Sequence, residues 1–155
     1  MNLLKSFLAA ALLVLAVSAC EYDYVPVALE IYVEDAAGND RLDPASPYFI
    51  GGDIYVYYEN VEYPLRYDKE EMLSTKALLT QLDGLQLRRA ESGHYYLYFG
   101  DLDGSQDYNC AFALHWPDDS LDWIHYRRNV VVLGVVTQSW KFNGKRTGMP
   151  MTIVK

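Results

Sequence analysis

The sequence predicts an all-β fold. Short runs of alternating apolar and polar residues recur along the chain, turn signals separate them, and tyrosine and valine, which suit pleated half-buried surfaces, are abundant. Val27, Leu29, Ile31 and Val33 alternate with Ala28, Glu30, Tyr32 and Glu34, which defines a half-buried strand. Ile54 to Tyr58 and Tyr63 to Tyr67 flank a polar connection over Glu59 to Glu62, so a hairpin is expected, with its second arm at an edge because it carries Pro64. Further strands are expected over His94 to Phe99, Tyr108 to Trp116, Leu121 to Tyr126, Val130 to Thr137, Trp140 to Phe142 and Met149 to Val154. Gly38-Asn39-Asp40, Gly51-Gly52, Ser92-Gly93, Asp103-Gly104, Pro117-Asp118-Asp119 and Asn143-Gly144 mark the turns. Many short strands spaced by such turns read as an antiparallel sandwich or barrel. One segment departs from the pattern: Asp68 followed by Glu71 forms a helix-start signature ahead of Met72, Leu78, Leu79 and Leu82, so one short helix is allowed near residues 69–80.

The first residues carry an address. Met1 and Lys5 precede an uncharged apolar stretch from Phe7 to Val17, too short for a membrane span of roughly 20 residues and of the right length for a secretory signal. Val17-Ser18-Ala19 followed by Cys20 resembles the lipobox of bacterial lipoproteins. That resemblance implies cleavage before Cys20 and diacylglycerol on its thiol, with residues 1–19 removed, 20–26 a lipidated tether, and 27–155 one domain. Several acyl chains on one residue give stable anchoring, at roughly 0.8 kcal/mol per buried methylene, so the protein would sit on a membrane without crossing it. Glu21 and Asp23 just after the anchor resemble the acidic stretch that directs some such lipoproteins to the outside of the outer membrane.

Removing 19 of 155 residues leaves 136, enough for one core. Only Lys5 is lost from 13 Lys and Arg, against 21 acids, so the mature chain carries a net charge of −9. An acidic surface argues against nucleic acid and anionic headgroups as partners. With Cys20 lipidated, no second cysteine is left to form a disulfide with Cys110. It shares a strand face with Phe112, Leu114 and Trp116, which reads as a buried, inert thiol.

"DAAGNDRLDP", "GDIYVYYENVEYPL", "YYLYFGDLDG", "HWPDDSLDWIHY" and "WKFNGK" together resemble small envelope lipoproteins of Gram-negative gut anaerobes. The likeness covers most of the mature chain. It implies an immunoglobulin-like β-sandwich at the outer membrane and transfers no catalytic residue, since that family has no established activity.

Few residues point to chemistry. Oxygen ligands suited to calcium cluster at Asp35, Asn39, Asp40 and Asp43, and again at Asp101, Asp103, Ser105 and Asp107. The second loop departs from the helix-loop-helix calcium pattern, with Phe112 where a bidentate Glu belongs, and turns in which Asp and Asn cap their own backbone are the preferred reading of both. His94, His115 and His125 lie on separate strands at spacings that give no metal triad, and Asp122 and His125 fall on opposite strand faces. No nucleophile turn is present, so no catalytic residue and no cofactor is expected. Arg127-Arg128 reads as a solvated loop. The 14 tyrosines exceed what a core of this size needs, and Tyr32, Tyr55, Tyr57, Tyr95 and Tyr126 are the candidates for a binding face for glycan or protein. Two functions follow: a lipid-anchored, non-catalytic binding or adhesion module, or a structural or assembly component of an envelope complex.

Overall fold

The computed structural model describes residues 26–67, 84–103, 108–131 and 135–155, and every regular element among them is a β-strand. These are β1 (Pro26–Glu34), β2 (Tyr55–Tyr58), β3 (Val61–Arg66), β4 (Leu85–Arg89), β5 (Tyr95–Asp103), β6 (Tyr108–His115), β7 (Leu121–Val131), β8 (Val135–Phe142), β9 (Lys145–Thr147) and β10 (Met151–Val154). They hydrogen-bond in the order β10-β1-β5-β4-β3-β2-β6-β7-β8-β9. Seven of the nine pairings are antiparallel, while β1 with β10 and β3 with β4 run parallel. The purely antiparallel expectation is therefore corrected to a mixed sheet. The parallel β3–β4 pair is possible because the connection from 67 to 84 is long enough for a crossover.

The sheet closes on itself. β9 and β10 are its two edges, yet only Gly148, Met149 and Pro150 join them, and four Cα steps reach at most about 15 Å. The twisted sheet must curl until its edges are neighbours, which makes the fold barrel-like.

The inward face follows the period of two seen in the sequence. Val27, Leu29, Ile31 and Val33 on β1 are all buried, and they join Leu97 and Phe99 on β5, Phe112 and Leu114 on β6, and Ile124 and Tyr126 on β7 in one core. Trp116 is buried as expected, and Cys110 is half-buried and packs against the same core.

Other expectations shift. The hairpin at 55–66 forms with Glu59 and Asn60 at positive φ in its turn, but β3 is an interior strand, not an edge. Pro64 is tolerated because only Leu65 and Arg66 pair with β4. β7 runs unbroken through Val131, so Arg127 and Arg128 lie in a strand and not in a loop, and Trp140 to Phe142 belongs to the same strand as Val135. β4 and β9 had no counterpart in the sequence reading. The signal residues, Cys20, the tether to residue 25 and the helix expected at 69–80 lie outside the described residues.

Candidate functional site

The outward face of β2, β6 and β7 gathers aromatic side chains around two alanines. Register places Tyr57, Ala113 and Trp123 in one row across these strands. Ala113 is 2% exposed while Tyr57 is 37% and Trp123 44% exposed, so the middle of the row lies beneath and between the two rings that flank it. These ring-bearing walls stand two strand spacings apart, about 10 Å. Ala111 continues the line of small residues along β6. At the end near Pro117 the trough is closed by Tyr55 stacked on His115, with ring centroids 4.3 Å apart and planes at 11°.

Toward the other end the trough becomes basic. Ala111, His125, Lys141 and Arg146 form the next row, and Asn109, Arg127 and Ser139 the row after it. Asn109, His125, Arg127, Ser139, Lys141 and Gly144 line a shallow hollow of about 400 Å³ there. Trp123 and His125 stack at 6.3 Å along the same wall. The Arg127 guanidinium is oriented by donating from Nε to Asn129 Oδ1 at 3.1 Å.

Trp123 is fixed by the neighbouring turn. Its N–H donates to Asn143 Oδ1 and its carbonyl accepts from the Asn143 N–H, both at 2.8 Å. Asn143 and Gly144 hold positive φ in the turn that returns β8 into β9, the geometry that an Asn-Gly pair adopts readily. The Asn143 side-chain amide in turn donates to Asp122 Oδ1 at 2.7 Å, so a buried carboxylate positions the wall from beneath.

Of the five candidate tyrosines, Tyr55 and Tyr57 meet at this trough. Tyr32 faces outward on the other half of the sheet, paired with Tyr96 at 5.4 Å. Tyr95 packs against the core, with the Arg89 guanidinium 5.5 Å from its ring. Tyr126 is 1% exposed and is a core residue, a correction with a simple cause: it is in phase with Ile124, which points inward. Burial pushes the Tyr126 hydroxyl pKa up. Trp123, His115 and His125 were not singled out for this face, although the same phase rule places them outward.

The first acidic loop spends its carboxylates on its own backbone. Asp35 Oδ1 accepts from the Ala37 and Asn39 N–H groups, Asp40 accepts from Leu42 and Tyr95, and Asp43 accepts from Ala45. Asp101 and Asp103 continue the backbone of β5, and Ser105 and Asp107 lie outside the described residues. The Asn39 side-chain amide, then its backbone N–H, holds the Asp35 carboxyl below its ordinary value of 3.8. A lowered pKa in the folded state stabilises the turn above the unfolded value and is lost as pH falls through the folded one. Amide NMR shifts of Ala37 and Asn39 are therefore expected to titrate with a midpoint below the ordinary 3.8, and Asn39→Ala should raise that midpoint.

Comparison of the chain with protein-family models, with curated proteins and with solved structures found no match.

Proposed function

We propose that this chain is a lipid-anchored, non-catalytic binding module of the bacterial outer membrane, held by Cys20 and engaging its ligand through the trough on β2, β6 and β7. The single observation that carries the reading is the row Tyr57, Ala113, Trp123: two exposed rings in register on either side of a small residue offer aromatic surface to a flat, chain-like ligand such as a glycan. The direction of the strands agrees with it. β1 starts at the same end of the sheet as the Glu59-Asn60 turn, so a tether leaving Pro26 puts the Tyr55–His115 end of the trough away from the membrane. In fold terms we read the curled sheet as a distorted, immunoglobulin-like sandwich whose halves share β3. An assembly role is the second reading: the edge strand β9, Lys145-Arg146-Thr147, is charged and resists strand addition, whereas the other edge, β10, is Met151-Thr152-Ile153-Val154 with Val154 65% exposed.

The test is protease shaving of intact cells, read with an antibody to the domain and a periplasmic control protein. Loss of the signal, and its retention in membranes only when Cys20 is intact and not Cys20→Ser, is the expected result. Survival until lysis would overturn the surface-facing reading.

A further inference from the structure

The chain is acidic overall, with 21 acids against 13 Lys and Arg, yet residues 121–147 hold five Lys and Arg and a single acid, Asp122. That acid is buried on the inward face. The outward face of β7, β8 and β9 therefore carries Arg127, Lys141 and Arg146, with His125 among them and no carboxylate in the same rows. The two ion pairs among the described residues, His94 with Asp40 and Lys155 with Asp122, leave all three of these cations out. Among the described residues, Glu62 pairs with Tyr57 on the side of β2 away from Trp123, so charge changes sign across the trough.

We infer that the trough binds an acidic polysaccharide, its sugar rings lying against Tyr57 and Trp123 and its carboxylates or sulfates meeting Arg127, Lys141 and Arg146. The inference rests on the binding-module reading and adds the charge of the ligand to it. Charge complementarity selects an anion: three unpaired cations on one low-relief face concentrate a polyanion and steer its approach. Shape selects a chain over a membrane. Trp123, stacked on His125, borders the shallow hollow lined by Asn109, Arg127, Ser139 and Lys141, a concavity that a linear polymer can enter and a flat bilayer cannot. Arginine presents a planar fork that matches carboxylate and sulfate, and Asn109 and Ser139 in the same row add neutral donors.

The experiment uses the purified full-length protein in detergent and two ligand pairs that share a backbone and differ chiefly in charge: polygalacturonate with its methyl ester, and dextran sulfate with dextran. Affinity is measured by calorimetry at low and raised salt. At least one acidic member is expected to bind about tenfold or more tighter than its neutral partner, with the advantage shrinking as salt screens exposed charges. Replacing Arg127, Lys141 and Arg146 together by Ala should bring the acidic ligand down to the level of the neutral one. Trp123→Ala should weaken both members of a pair. Equal binding within each pair, lost on Trp123→Ala and untouched by the triple replacement, overturns the inference and leaves the binding module standing. Binding to neither pair, or binding only to vesicles containing phosphatidylglycerol, overturns both.

Discussion

Phe112→Ala is expected to lower the stability of the domain by about 4 kcal/mol, since removing a fully buried aromatic ring leaves a cavity that the surroundings only partly fill. Phe112 stacks on Tyr58 at 4.9 Å and meets Phe99 edge-on at 5.9 Å, and Phe99 in turn meets Tyr58 and Tyr63. These rings come from β2, β3, β5 and β6, so they tie both halves of the curled sheet together. Hydrogen bonding does this poorly: the halves join through β3 and β4, which share only two register pairs, Leu65 with Leu85 and Arg66 with Gln86. The aromatic cluster carries the load that the short ladder cannot. Urea denaturation should show the midpoint falling with an unchanged slope, and Phe112→Leu should cost only about 1 kcal/mol. A loss below about 1.5 kcal/mol for the alanine variant would mean the site collapses freely and the halves are held by something else.

Strand existence was largely legible in the chain because the period of two is strong wherever one face is buried. Val27 to Val33 and Cys110 to Trp116 show it, and each packs inward as its pattern requires. What was lost was lost for particular reasons. Leu85-Gln86-Leu87-Arg88-Arg89 ends in two charges, so it does not read as a strand, yet Arg88 lies 3.3 Å over the Tyr98 ring and its stem covers the sheet. Arg127-Arg128 interrupts an apolar pattern, and a strand that tolerates arginine on both faces cannot be told from a loop by hydropathy. Curling and the two parallel pairings depend on contacts between residues distant in sequence, Ile31 with Met151 across most of the domain and Leu65 with Leu85 across a long connection, and nothing local encodes them. The site suffered from a choice of residue type over phase. Selecting tyrosines brought in the buried Tyr126 and passed over Trp123, which stands three positions before it and so in the alternate phase. Net charge misled in a similar way, because a sum over the chain says nothing about where opposite signs are segregated.

Asp122→Ala is expected to cost about 3 kcal/mol, close to the effect of breaking a buried ion pair from one side. The Asp122 carboxylate accepts from Trp116 Nε1 and from the Asn143 amide, each at 2.7 Å, and sits 3.1 Å from Lys155 Nζ. Lys155 also donates to Ser120 Oγ at 2.9 Å and lies 4.8 Å over the Trp116 ring. One carboxylate thus gathers the end of β10, the β6–β7 turn and the β8–β9 turn, which is where the curled sheet brings its two edges together. Removing it leaves a buried indole N–H without its acceptor and an ammonium only partly in water. Lys155→Met should cost roughly 1 kcal/mol, because its loss leaves the carboxylate two of its three partners. The double variant should lose less than the two single losses added, as expected for groups that share one network. The same substitution reaches the trough, because Asn143, once released by Asp122, no longer has a fixed amide with which to hold the Trp123 backbone. Ligand binding to Asp122→Ala should therefore weaken at temperatures where circular dichroism still reports a folded sheet, a result that a purely global destabilisation would not give.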